Sequence, residues 1–270
     1  MLKLNPYTAI LTCIGLLLVI GWYYLSFQNP SAQILDAANT SYNKGVEAST
    51  FYSREQSFNK ALELNAYLEQ VFRPVYGNGR LYANLGQLYY NLEEYPLALF
   101  SYYQAAKLRP RDRDLAQAID HTRRQLNLPD ALPSSIFKDV FFFHTFLSLP
   151  ERLQVVNVLS LLLFFLFSIH LWKPFRLFKG LNVFLIGVWM IFLGSLFYER
   201  YFEPLEGVMI QGSMLKRESN PQALLVNSQP IRAGTKVEVL DVLNEGQWLK
   251  VKLIDGNIGF VSSRYIRLIK

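Results

Sequence analysis

Two apolar runs, residues 153–172 and 181–198, stand almost back to back, separated only by Lys173-Pro174-Phe175-Arg176-Leu177-Phe178-Lys179-Gly180. Neither run contains Asp, Glu, Lys or Arg. A helix rises about 1.5 Å per residue and a bilayer's hydrocarbon core is roughly 30 Å thick, so each run is long enough to cross. The pair therefore reads as a membrane hairpin, residues 153–198. Its turn carries Lys173, Arg176 and Lys179 and no acid, which by the positive-inside tendency places the turn in the cytoplasm. The segments before and after the hairpin are then expected together on the opposite side.

That topology also accounts for the charge. The chain has 270 residues and a net charge of +6, but the segment 28–150 balances to zero, while the turn and the region after Pro204 hold most of the excess. A basic balance spread this way reports membrane orientation and a mildly basic tail, and we expect no nucleic-acid partner. The single cysteine, Cys13, lies inside an apolar stretch, so no disulfide framework and no cysteine-based metal site is expected.

At the N-terminus, Lys3 precedes an apolar run from Ala9 to Phe27 that meets no charge before Asp36. Residues 1–28 read as a transmembrane signal anchor or a cleaved signal peptide; either would export the segment after it. Residues 29–128 read as helical, with breaks at Pro74, Gly77-Asn78-Gly79, Pro96 and Pro110. From Gly79 to Asp112, the residues Tyr82, Leu85, Gly86, Tyr89, Ala98, Tyr102, Ala105 and Pro110 fall at the spacings of a tetratricopeptide repeat, a pair of antiparallel helices. Gly86 and Ala98 are small where two helices must approach closely, and Tyr89 and Tyr102 fill the space beside them. Residues 32–48 and 52–72 read as a divergent second repeat, with Tyr42 and Gly45 on one helix and Phe58, Ala61, Leu62 and Leu68 on the other. Residues 112–126, with Leu115, Ile119, Thr122 and Leu126 on one face, read as a capping helix. Stacked repeats leave a concave surface that grips a partner, so Tyr82, Tyr89, Tyr102, Arg109 and Arg111 are candidate partner-binding residues, weighed against repeat core for the tyrosines and a solvated face for the arginines.

Residues 129–152 read as a linker whose aromatic patch, Val140-Phe141-Phe142-Phe143, suits a bilayer interface. After Pro204 the pattern becomes short strands at 208–212, 223–227, 235–243, 247–253, 258–261 and 265–269. Alternation is clean in Lys236-Val237-Glu238-Val239 and in Leu249-Lys250-Val251-Lys252-Leu253. Residues 204–270 predict a small all-β barrel. Gly234-Thr235-Lys236-Val237-Glu238-Val239-Leu240, Trp248-Leu249-Lys250-Val251-Lys252, Asp255-Gly256, Gly259-Phe260-Val261 and Tyr265-Ile266 together resemble a bacterial SH3-like domain. The resemblance implies binding of peptides or cell-wall material, with Trp248, Phe260 and Tyr265 as the candidate ligand face. By parity Trp248 shares a face with Lys250 and Lys252, opposite Leu249, Val251 and Leu253.

The histidines His121, His144 and His170 are scattered, and the sequence shows no phosphate-cradling loop, nucleophile elbow or zinc-binding pair. We therefore expect no enzyme, no catalytic residue, no cofactor and no metal. The order of exported anchor, tetratricopeptide repeats, two-span hairpin and SH3-like barrel resembles BatE-type proteins of bacterial aerotolerance (Bat) operons. That resemblance implies a non-enzymatic scaffold in the bacterial inner membrane. Its repeats and barrel would be periplasmic, beside membrane partners with von Willebrand factor A domains. A membrane-tethered module binding peptidoglycan is the alternative expectation. In both, the lipid bilayer is a partner.

Overall fold

A computed structural model describes residues 31–72, 79–129, 142–172 and 176–269. The expected N-terminal anchor, Val140-Phe141 of the linker's aromatic patch and Lys173-Pro174-Phe175 lie outside the described residues. The chain divides into two units, residues 1–73 and 74–270.

In the first unit, α1 (Ser31–Glu47) and α2 (Phe51–Phe72) form a helical hairpin. Thr50 starts α2 as a cap, its hydroxyl accepting from the Ser53 amide at 3.2 Å. Gly45 lets the helices close, since a Cβ there would lie 2.7 Å from the Phe58 ring. Ala38, Phe58, Ala61 and Leu68 form the seam. Both helices start and end within one residue of the expected bounds.

The second unit begins with α3 (Arg80–Asn91), α4 (Tyr95–Leu108) and α5 (Arg113–Gln125). Pro96 sits in the first turn of α4, where its missing N–H breaks no helical bond. Asp112 caps α5, its carboxylate accepting from the amides of Asp114 at 3.1 Å and Leu115 at 3.3 Å. The α3–α4 contact depends on Gly86, whose missing side chain makes room for the Tyr102 ring. Leu81, Leu85, Leu88, Ala98, Leu99, Ala105 and Leu115 complete this core.

One short helix, α6 (Phe142–Phe146), leads on to the long helices α7 (Leu149–Trp172) and α8 (Arg176–Tyr201). The described chain resumes as helix at Arg176, so Arg176 and Lys179 belong to the first turn of α8 rather than to an eight-residue loop. Within the apolar windows Leu149–Phe167 and Gly180–Tyr201, only 6% and 11% of residues are buried. Phe164, Phe165, Phe167, Val183, Phe184, Met190 and Ile191 all face outward. A soluble protein does not present apolar surface on that scale, so these helices are long and apolar enough to cross a membrane and lack the burial of core helices.

The sheet comprises β1 (Leu205–Met209), β2 (Lys236–Leu243), β3 (Trp248–Lys252), β4 (Ile258–Ser262) and β5 (Ile266–Ile269), antiparallel in the order β4-β3-β2-β1-β5. The two edge strands are joined by the single 3-10 turn Ser263–Tyr265. In a flat sheet four spacings of about 4.8 Å would hold them roughly 19 Å apart, whereas a 3-10 turn rises only about 2 Å per residue. The sheet is therefore strongly curled, although no ladder closes β4 onto β5. Met209, Leu215, Ile231, Val237, Val239, Leu249, Val251, Val261 and Ile266 fill its concave side. One expected strand is absent: residues 223–227 make only the bridge between Leu225 and Lys216. Leu224 and Leu225 are both exposed there, so no alternation sustains a strand.

The helices before the hairpin and the sheet after it pack against each other. Gly234, at φ +82°, lies where a Cβ would be 2.4 Å from Leu126 and 3.2 Å from Leu99. The Lys236 ammonium sits 5.3 Å from the Tyr103 ring centre, and Arg232 donates to the Asn127 carbonyl at 2.6 Å.

Candidate binding site

The repeat-like helices supply less accessible surface than the tyrosine spacing promised. Tyr82 and Tyr102 are 7% and 3% exposed. Tyr102 lies beneath Gly86, and its hydroxyl donates to Gln87 Oε1 at 3.3 Å. These two tyrosines are core, and a partner does not reach them; Tyr89 is half-buried. Arg109 pairs with Asp112 at 2.8 Å. Arg111 pairs with Glu151 and stacks 5.1 Å from the Phe146 ring centre, tying the end of the helical unit to the start of α7. Of the five candidates, both arginines are engaged in contacts within the unit.

The sheet carries the better-formed site. On β3, Leu249 and Val251 are buried while Trp248 and Lys250 are half-buried and Lys252 is exposed, the alternation that parity requires. Register places Ser262 opposite Trp248 and Phe260 opposite Lys250, so Phe260 is on the outer face. An open groove of about 730 Å³ runs beside Trp248 and Tyr265. Phe260 does not line it, so of the three expected ligand-face aromatics the groove brings together two.

Its far wall comes from the long connection between β1 and β2, held down by Gly259. A Cβ on Gly259 would lie 2.6 Å from both Leu215 Cγ and the Lys216 carbonyl oxygen. With glycine there, Lys216 and Phe260 exchange both backbone hydrogen bonds, at 3.0 and 2.7 Å. Lys216 then reaches over the wall, its ammonium 5.7 Å from the Trp248 ring centre and donating to the Pro221 carbonyl. Across the groove, the Arg264 guanidinium sits 4.5 Å from the Tyr265 ring centre and donates to its hydroxyl. Each aromatic platform thus has a cation over it. Polar groups of Ser213, Gln247, Ser262 and Ser263 line the rest, and among the described residues no carboxylate does.

A third constellation was not foreseen. At the end of the long helices nearest α6, Arg152 is only 3% exposed and pairs with Glu199 of α8. It also donates to Ser195 Oγ at 2.8 Å and lies 2.8 Å from His144 Nδ1, which is 2.9 Å from Ser195 Oγ. Tyr198 packs edge-on against His144 at 5.6 Å between ring centres. Burial lowers the pKa of His144 below its ordinary value, and the Arg152 charge pushes the same way against the opposing pull of Glu199. His144 is therefore neutral near pH 7. Arg152 and Glu199 sit 47 residues apart in sequence, so no local motif marks the pairing. The available signal was a charge of opposite sign near the same end of each apolar run.

No protein-family model matches the chain, and no curated protein matches its sequence. Among the described residues no three His, Cys, Asp or Glu side chains come together in a way that would hold a metal ion.

Proposed function

We propose that this chain is a membrane-anchored, non-enzymatic scaffold of the bacterial cell envelope. The observation that carries the reading is the pair of apolar, laterally unburied helices set between a helical unit and a curled sheet that pack on each other. Two segments that touch while flanking a two-helix hairpin belong on one side of a bilayer. The basic residues Lys173, Arg176 and Lys179 then favour a cytoplasmic turn and a periplasmic helical unit and sheet.

In this reading α3–α5 form one tetratricopeptide repeat with its capping helix, α1–α2 form a divergent repeat, and the curled sheet is an SH3-like barrel. The close Gly86–Tyr102 contact and the proline at the start of α4 support the first assignment; the curled five-stranded order and the groove beside Trp248 support the last. The order of these parts resembles that of BatE-type proteins of aerotolerance operons, and on that resemblance the partners would be membrane proteins with von Willebrand factor A domains. The groove favours a second reading, a tether that grips peptidoglycan through Trp248 and Tyr265.

A mild-detergent pull-down of full-length protein from bacterial membranes tests the scaffold. It predicts specific membrane proteins recovered with wild type and lost with Gly86→Trp. Recovery of wall fragments alone, lost with Trp248→Ala, would replace the scaffold by the tether.

A further inference from the structure

We infer that the groove beside Trp248 receives an extended acidic peptide segment, which adds to the open part of the β4 edge. This deepens the reading of the sheet domain as a partner-binding module and rests on it. Two independent features of the groove point to the same ligand.

The first is backbone. Lys216 pairs with Phe260 at the β4 edge through both its N–H and its C=O, so Phe260 directs its backbone groups away from β3. In an antiparallel ladder residues two apart direct these groups to the same side. Ser262 therefore turns its amide outward as well, while its carbonyl, at the N-cap of the 3-10 turn, accepts the first bond of that turn. Met214 is the residue that would face it if the pairing continued. Instead the pairing stops at the single Lys216–Phe260 bridge, and Met214 and Ser262 both line the groove. Among the described residues the strand edge is covered at Phe260 and opens at Ser262. An incoming extended segment can bond to Ser262 there, as in strand addition.

The second is charge. Among the described residues Lys216 and Arg264 are its charged lining residues, and no acid accompanies them. Arg264 is exposed at the rim, its guanidinium 4.5 Å from the Tyr265 ring centre and one nitrogen donating to the Tyr265 hydroxyl, and its further N–H groups can meet a carboxylate. Successive side chains of an extended strand point to opposite faces. A peptide with acids at alternate positions can therefore set them toward Lys216 and Arg264 while its backbone follows the edge. A neutral or basic strand would bring no carboxylate to either cation.

The test is fluorescence anisotropy with full-length protein in lipid nanodiscs and a labelled peptide of alternating Glu and Thr, compared with its Gln-for-Glu counterpart. We expect the acidic peptide to bind at least about tenfold more tightly than the Gln peptide, with an affinity that falls as salt rises. Arg264→Glu should remove most of that preference. Lys252→Glu, on the exposed face of β3 away from the groove, should leave it nearly intact. N-methylation of the acidic peptide's backbone should abolish binding, which separates strand addition from simple charge attraction. Equal affinity for the two peptides, indifference to Arg264→Glu, or competition by soluble polyphosphate but not by unlabelled acidic peptide would each overturn the proposal. Should the acidic peptide fail to bind while the pull-down still recovers partners lost with Gly86→Trp, the acidic-peptide site falls and the scaffold reading stands.

Discussion

Gly86→Ala sets helix propensity against packing. Alanine is favoured over glycine inside a helix by about 1 kcal/mol, so on propensity alone the change stabilises α3. The structure reverses the sign. An added Cβ would lie 2.4 and 2.5 Å from two carbons of the Tyr102 ring, well inside van der Waals contact, and Tyr102 is only 3% exposed. The ring therefore cannot swing into solvent, and the helices must part or Tyr102 must leave its rotamer. Overpacking of this kind costs about 1–3 kcal/mol. After the propensity gain the net loss is about 1 kcal/mol, roughly a fivefold rise in the population of the open state. Because the chain has several units, a global melting curve is a poor gauge; hydrogen exchange of the α3 amides reads the local opening directly. In the double variant Gly86→Ala/Tyr102→Leu the clash is gone, and alanine should then be neutral or stabilising relative to Tyr102→Leu alone. Unchanged or increased α3 protection in Gly86→Ala would show that Gly86 is not what lets these helices close.

Three further outcomes are expected from the geometry. Glu199→Leu leaves the buried Arg152 charge without its partner and should destabilise the paired helices by about 3–5 kcal/mol, read by hydrogen exchange of the α7 and α8 amides in detergent; Arg152→Leu, which leaves the partly exposed Glu199, should cost less, and the double replacement should recover much of the loss. Because the folded-state pKa of His144 lies below its ordinary value of 6.5, the unfolded chain takes up the proton first. Stability should thus fall as pH drops through and below about 6.5, a loss that His144→Gln should flatten and that pH-resolved unfolding would measure. Gly259→Ala should push Leu215 and Lys216 off β4 and raise hydrogen exchange at the Lys216 and Phe260 amides, without matching change in α1 or α2.

Much of this architecture was legible because it depends on local pattern. Uninterrupted apolar runs bounded by charge defined α7 and α8 to within a few residues. The small residues Gly86 and Ala98 announced a close helix contact, and period-two alternation placed the inward faces of β2 and β3. What the sequence hid depends on residues far apart. Residues 223–227 have strand composition, but Leu224 and Leu225 find no core to cover them and form only a bridge. For Tyr82 and Tyr102 the sequence left repeat core and partner binding both open, and burial decides for core. Arg152 and Glu199 meet only because α7 and α8 are paired. The groove required Gly259, whose role appears only when the β1–β2 connection is laid across β4.

The central claim is that α7 and α8 form a membrane hairpin with the helical unit and the sheet together on its far side. Its most direct test uses single cysteines at the exposed positions Asn84 and Glu218, and at Lys179, in a Cys13→Ser background, with a membrane-impermeant maleimide added to intact bacterial spheroplasts. The account predicts labelling of Asn84→Cys and Glu218→Cys from outside and of Lys179→Cys only after permeabilisation. Labelling of Asn84→Cys and Glu218→Cys from opposite sides, or release of the protein from membranes without detergent, would contradict it.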